Sequence, residues 1–447
     1  MVLTNNQISD SGFTSIKEYS KWENGLEELS LSHNTISDEG ARWIGKNPNL
    51  PNLRILALNS NKIGDEGVAA IGSNSSWKYL RELDLSSNDK GDAGACWIGS
   101  NTIWINLEKL SLGNNKIGDE GGTTIGRNYI WTSITKLQLS DNNLSEKSAK
   151  VIGSNTAWAY LRRLYLDGNN LSDEGGVAIG LNKSWNNLKE INLSKTHIGD
   201  KTAAVLGSNS AWNNLRKLII SFNNITDEGG ANLSMNKFWN RLEEFECRKN
   251  LIGNKTVKAI TTNDSWNRLR ILDLSENSIT DLGAIAFGGQ IKCFNLVRLG
   301  LSGNQLSDVC IFYIKSNPFW QYTLEVDRGG EVFDQIFVPY LRDQSPDYVE
   351  KPDFTKWNCN DMWTLIFGRV NPHLKDMDKL HIKNCNLTDI SGFVFCSNTA
   401  WENLRELNLS KNHIGDVCAA ALGENSTWTK LTVLVLSFNN ITDEGGA

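Results

Sequence analysis

Residues 53–79 read LRILALNSNKIGDEGVAAIGSNSSWKY, and the order of their parts decides the fold. Leu53, Leu56 and Leu58 lead to Asn61; Ile63 and Asp65-Glu66-Gly67 follow, then Ile71-Gly72 and Trp77. The same string, L-x-x-L-x-L-x-x-N-x-I-x-D-E-G-A-x-x-I-G-x-N-x-x-W-x-N, returns along the chain. Its asparagine falls at Asn34, Asn61, Asn88, Asn115, Asn142 and Asn169, then at Asn223, Asn250, Asn277 and Asn304, every step a multiple of 27. Thr196 fills the skipped slot, and a partial repeat centres on Asn6. The pattern resumes at Cys385, Asn412 and Asn439. Asn304 and Cys385 are three periods apart, so two degenerate repeats are expected between them.

Each repeat reads as two pieces. In Leu83-Asp84-Leu85 apolar and polar residues alternate, the period of a strand with one buried face. The chain turns at the asparagine, whose side chain both donates and accepts and can satisfy backbone groups of its own and neighbouring repeats. A Ser, Thr or Gly then serves as helix N-cap with acids in the first turn, as in Ser172-Asp173-Glu174, where the helix dipole favours negative charge. A short helix follows, which the glycine after its last isoleucine (Gly72, Gly99, Gly153) can end. One such unit cannot bury its own apolar face, so the repeats must stack, with strands pairing in parallel and helices covering the other side. Trp77, Trp104, Trp131, Trp158, Trp185, Trp212, Trp239, Trp266, Trp401 and Trp428 share one phase, three residues before a core apolar position. That strict phase points to a packed ladder closing the return from helix to strand.

Composition narrows the function classes. The 447 residues carry a net charge of −6 with Lys and Arg scattered among Asp and Glu, so no basic stripe exists for nucleic acid. No run of apolar residues is long enough to cross a bilayer, and MVLTNNQISD lacks the features of an export signal. The eight cysteines show neither a CxxC pair nor disulfide-like spacing, which points to reduced thiols in a cytosol-like compartment. The sequons at Asn143 and Asn224 follow from the repeat consensus and are not read as glycosylation sites.

The repeated string resembles the leucine-rich-repeat family over nearly the whole chain apart from 320–376. The short helix and the I-x-D-E-G-A segment resemble its ribonuclease-inhibitor type, also seen in NOD-like receptors and Ran GTPase activators. The resemblance implies an α/β solenoid shaped as a curved horseshoe, with parallel strands on the concave face and short helices on the convex face. It also implies protein binding. The expected organisation is repeats over 1–319, an irregular stretch over 320–376, and repeats over 377–447.

A partner would meet the outward residues flanking each L-x-L. The central position runs Ser30, Ala57, Asp84, Ser111, Gln138, Tyr165, Asn192, Ile219, Glu246, Asp273, Gly300 on a nearly constant framework. Such variation fits a recognition surface and fits neutral surface drift equally. One patch stands out: Tyr165 and Ile219 flank Asn192, with Lys136, Arg163, Asp167, Glu190, Lys217, Phe222 and Arg248 at neighbouring strand positions. Aromatic and arginine anchors ringed by polar groups are the composition of binding hot spots. The stretch from Pro318 to Pro372 holds five of the seven prolines. It also carries Phe333, Tyr340, Tyr348, Trp357 and Trp363, and reads either as decayed repeats or as an island loop over the concave face.

Several apparent sites fail on their chemistry. Gly40 to Asn47 nearly spells a phosphate-binding loop, but Asn47 stands where a magnesium-holding Ser or Thr is needed. The glycine spacing there is the repeat's own. Cys359-Asn360-Asp361 is similar to the C-x-D of bacterial ubiquitin ligases, without their helical catalytic domain. His381 and Cys385 are too sparse for a metal site. Lys90 occupies a slot usually filled by isoleucine and is expected to extend its ammonium outward to solvent. The reading is therefore a non-catalytic, monomeric scaffold for a protein partner, with no cofactor, in the cytoplasm or delivered into a host cytosol. Two alternatives stay open: a GTPase activator of the Ran-activator type, or the sensor arm of a NOD-like receptor. The last repeat stops at Asp443-Glu-Gly-Gly-Ala447, and Met1 begins within a strand, so a fragment of a longer protein is expected.

Overall fold

The computed structural model describes residues 1–12, 25–47, 50–288, 296–307, 310, 314, 325–327, 378–396 and 401–442. They divide into two compact units. One comprises Met1–Ser278, Ile291–Asn304 and Glu325–Asp327; the other comprises Ile279–Gln290, Gln305–Leu324 and Arg328–Ala447. In the first unit twelve three-residue strands form one sheet in chain order. They are β1 (Glu28–Ser30), β2 (Ile55–Ala57), β3 (Glu82–Asp84), β4 (Lys109–Ser111), β5 (Lys136–Gln138), β6 (Arg163–Tyr165), β7 (Glu190–Asn192), β8 (Lys217–Ile219), β9 (Glu244–Glu246), β10 (Ile271–Asp273), β11 (Arg298–Gly300) and β12 (Glu325–Asp327). All pairings are parallel and keep the repeat's phase, as in Leu56↔Leu83↔Leu110. Helices α1 (Asp38–Lys46), α2 (Asp65–Gly72), α3 (Asp92–Gly99), α4 (Asp119–Gly126), α5 (Glu146–Ser154), α6 (Ser172–Gly180), α7 (Asp200–Ser208), α8 (Asp227–Ser234) and α9 (Asn254–Thr262) each pack against the next.

The second unit contains α10 (Asp281–Ala284) and a three-stranded parallel sheet of β13 (Lys379–His381), β14 (Glu406–Asn408) and β15 (Val433–Val435). There α11 (Asp389–Cys396) packs on α12 (Asp416–Glu424) over a core that includes Leu380, Leu407, Trp401 and Cys418. Of the 320–376 stretch only β12 is described, and it pairs with β11 in parallel. Phe333, Tyr340, Tyr348, Trp357, Trp363 and the Cys359-Asn360-Asp361 string lie outside the described residues.

Two asparagine ladders hold the repeats to one another. Asn88 donates to Leu58 O of the preceding repeat at 3.0 Å and to Leu85 O of its own at 3.1 Å, while its Oδ1 accepts from Ile63 N at 3.0 Å. At the other turn Asn74 donates to Gly45 O at 2.7 Å and accepts from Trp77 N at 3.1 Å. Both turns are interior, where an unpaired backbone group costs about 1–3 kcal/mol, so each asparagine removes several such costs. Leu83 and Leu85 are buried, as is the tryptophan column from Trp77 to Trp266. Trp185 stacks on Trp212 with centroids 6.4 Å apart and Trp239 on Trp266 at 6.3 Å, which bears out the packed ladder. The indoles of Trp158, Trp212 and Trp266 donate to the carbonyls of Asn128, Asn182 and Asn236 at 3.0–3.1 Å. Those of Trp77, Trp104, Trp131, Trp185 and Trp239 find no acceptor.

The helices depart from the sequence reading in three ways. First, although the N-caps are Ser, Thr or Gly as expected except at α6, most are glycines, which offer no capping side chain, and the first-turn aspartate caps the helix of the following repeat instead. Asp38 Oδ1 accepts from Gly64 N at 2.7 Å and Gly67 N at 2.9 Å; Asp173 accepts from Gly199 N at 3.0 Å and Thr202 N at 2.8 Å. Ser172 is not a cap: it is the first residue of α6, in the left-handed region at φ +58°, and its hydroxyl donates to Glu146. Second, the helices do end at Gly72 and Gly99 and one residue past Gly153, but not through a left-handed glycine; among the described glycines only Gly168 and Gly303 have positive φ. Their role is contact. A Cβ on Gly72 would stand 2.8 Å from Trp97 C, and one on Gly153 would stand 2.5 Å from Ala178 O, both in the next helix.

Third, Lys90 does not reach solvent. Its exposure is 0% and its ammonium donates inward to Leu85 O. Burial drives its pKa down to about 7, only partly offset by the charges of Asp84 and Asp65. A lysine in the isoleucine slot starts from an inward-facing Cα between two stacked repeats, so its stem has no open path outward. The phosphate-loop look-alike is likewise a helix, since Gly40 and Gly45 are interior residues of α1.

Candidate protein-interaction surface

The strands' first and third residues flank an inward leucine, isoleucine or phenylalanine, so both point to the same open side of the sheet. Register then sets the neighbours. Lys136, Arg163, Glu190, Lys217 and Glu244 form one row; Gln138, Tyr165, Asn192, Ile219 and Glu246 form the other. The strands are about 4.8 Å apart, so all these residues lie within reach of one extended ligand. Asp167 and Arg248 follow two positions beyond their strands, and Phe222 three beyond β8.

Each candidate has a definable environment. The Lys136 ammonium lies 5.8 Å from the Tyr165 ring centroid. The Tyr165 phenol is pushed up to about 12, chiefly by burial and then by its hydrogen bond to the Glu190 carboxylate, with Arg163 opposing. It is therefore a neutral donor at any ordinary pH. Asp167 accepts from the Ser140 hydroxyl, and burial raises its carboxyl above the usual value. Asn192 Oδ1 accepts from Ser194 N at 3.0 Å. Ile219 is half-buried.

The far end of the patch is a charge network. Lys217 Nζ lies 2.9 Å from Glu244 and 3.2 Å from Glu246. Burial and the hydrogen bond to Glu244 raise the Glu246 carboxyl. Glu244 is lowered: burial works against this, but its bonds to Glu246 and Lys217 outweigh it. Arg248 Nε donates to Glu276 at 2.8 Å. Phe222 is 38% exposed with φ +59°, a left-handed conformation costly for a bulky side chain. Lys195, Lys249 and Arg248 surround its ring at 5.3, 5.4 and 6.0 Å. Seven of the ten residues expected from the sequence thus stand at outward strand positions, and Asp167, Phe222 and Arg248 stand in the turns that follow. They fall into a centre at β5–β8 and a charged group around Phe222. Sequence reasoning missed the exposed Arg162 and Lys189, each immediately before its strand, although their shared phase was visible.

Comparison with protein families agrees with this architecture. The leucine rich repeat family model matches residues 26–44, 49–72, 78–95, 105–126, 159–180, 213–234, 268–288, 402–423 and 429–447. The chain is built of leucine-rich repeats. No curated protein sequence matches this leucine-rich-repeat chain. Among solved structures it is similar to an internalin from Listeria monocytogenes at 16% identity and TM-score 0.45, covering 97% of this chain and 90% of that one. A leucine-rich-repeat protein of Leptospira interrogans is similar at 17% identity and TM-score 0.42, with 95% and 87% covered. The Arabidopsis receptor kinase HAESA, solved with the peptide hormone IDA and the co-receptor SERK1, is similar at 18% identity and TM-score 0.45, with 99% and 70% covered.

Proposed function

We propose that this leucine-rich-repeat protein is a non-catalytic scaffold that holds a partner protein on its strand face, with the main contact across β5 to β9. The observation that carries the reading is the contrast between framework and face. The inward residues of successive repeats are nearly interchangeable, whereas the outward ones change in size and charge and, across β5 to β9, bring Tyr165, Ile219 and Phe222 among otherwise polar strand positions. Half-buried aromatic and aliphatic groups amid polar neighbours supply contact area with little ordering cost. The buried thiols of Cys247 and Cys310 are raised well above the usual value by burial, opposite to what a nucleophile requires. Full helices of eight or nine residues after most strands support the ribonuclease-inhibitor type of repeat. The test is capture of binding proteins by the whole chain, followed by affinity measurement of each with the Tyr165→Ala/Arg163→Ala variant. Binding weakened about tenfold supports the reading, since two central anchors are removed. Affinities unchanged for every captured protein would reject the patch.

A further inference from the structure

Charged residues on the strand face are mostly neutralised between repeats. In the row just before the strands, Arg81 pairs with Glu108 at 2.9 Å and Arg216 with Glu243 at 2.9 Å. In the row of first strand positions, Lys109 pairs with Glu82 at 2.6 Å and Lys217 with Glu244 at 2.9 Å. Between these two zones the pairing stops. Thr135 takes the place of a charged residue, and Lys136, Arg162, Arg163 and Lys189 have no carboxylate at ion-pair distance among the described residues. Lys109, Lys136 and Arg163 are direct register neighbours, so like charges stand side by side on adjacent strands, an unfavourable arrangement. The Lys136 ammonium lies over the Tyr165 ring. Glu190, the carboxylate within these rows, is engaged by the Tyr165 hydroxyl.

We infer that the strand face over β5 to β8 takes an acidic segment of a partner protein, its carboxylates on Lys136, Arg162, Arg163 and Lys189 and an apolar side chain against Tyr165 and Ile219. This rests on the strand-face reading above and adds the chemistry of the partner. The cations occupy three adjacent repeats, so they span about 10 Å, the length of roughly three extended residues. A short acidic cluster matches that span. A long polyanion does not, because Asp141 and Asp167 on the same repeats and Glu246 two repeats beyond Lys189 repel a phosphate chain that continues past the cations. Tyr165 and Ile219, in one register row with Asn192 between them, offer the apolar contact beside the charged one.

The test is fluorescence anisotropy of the whole chain with dodecapeptide pools randomised around a central Asp-Glu-Asp-Leu or its isosteric Asn-Gln-Asn-Leu. A single-stranded deoxyoligonucleotide serves as a third probe. The acidic pool is expected to bind about tenfold more tightly than the amide pool, an advantage lost at high salt. The Lys136→Gln/Arg163→Gln variant, whose changes are at solvent-facing positions, should lose it too, whereas Lys258→Gln on α9 keeps it. Equal binding of the two pools, or an acidic advantage that survives the double change, overturns the inference. Equal binding that is lost in Tyr165→Ala removes the acidic assignment and leaves the strand-face function standing. Oligonucleotide binding as tight as the acidic pool and lost in the same double variant also overturns it, in favour of a general polyanion site.

Discussion

Replacing Lys90 by isoleucine removes the one buried ammonium described in the stacked core, and its effect can be worked from the structure. Its pKa falls from 10.5 to about 7 on folding because burial disfavours the charged form, with Asp84 and Asp65 opposing. A depressed folded value means that the unfolded chain binds more protons between those two pH values, so stability rises with pH across that window. Below about pH 7 both states carry the charge and the dependence levels off. At about 1.4 kcal/mol per pKa unit, the penalty at pH 7 is roughly 4 kcal/mol, and at pH 10 it is about 1 kcal/mol. Lys90→Ile should therefore raise the denaturation midpoint at pH 7, and the gap from the parent chain should narrow steadily toward pH 10. Tryptophan fluorescence in urea at several pH values measures this, because the Trp ladder runs through the same core. A variant no more stable than the parent at pH 7, or a gap that stays constant with pH, would refute the buried-lysine account. Lys90→Met, which keeps a long flexible side chain without the charge, separates lost charge from altered packing.

Two further outcomes follow from the helix side. Asp173→Ala removes the acceptor of Gly199 and Thr202 in the next helix and should cost about 1–2 kcal/mol in denaturant titration, as for a lost helix cap. The Asp173 carboxyl is held below its usual value: burial raises it, but the bonds from Thr202, Gly199 and Lys201 together outweigh that. Its contribution is thus present above the unfolded value and is lost as pH falls through the folded one. The variant and the parent should converge in stability at acid pH, and a difference that persists there would count against this cap. Gly72→Ala places a methyl 2.8 Å from Trp97 C and should lower stability by about 1–3 kcal/mol by overpacking. A neutral or stabilising effect in thermal melts would show that the helices can move apart.

Much of this chain was legible without coordinates because the information is periodic. Asn88 and Trp77 recur in one phase, and only stacked copies give every such side chain the same partners in the neighbouring copy. The strand positions, both ladders and the shared face of Tyr165, Asn192 and Ile219 follow from that phase and the alternation of L-x-L. What the phase leaves open is anything settled by the distance between adjacent repeats. Asp38 looks like a residue serving its own helix until the next helix is seen to begin beneath its carboxylate. Gly72 does end its helix, but why glycine is needed there shows only when the backbone of the next repeat is found where its Cβ would be. Lys90 could be placed in the isoleucine slot by counting, but only the closure of the neighbouring repeats removed its route to water. On the strand face, counting identified the charges, while register decided which were neutralised and left Lys136, Arg162, Arg163 and Lys189 without a carboxylate among the described residues. Local pattern specifies what one repeat offers; pairing, burial and steric exclusion are properties of two repeats in contact, and these the tertiary structure alone decided.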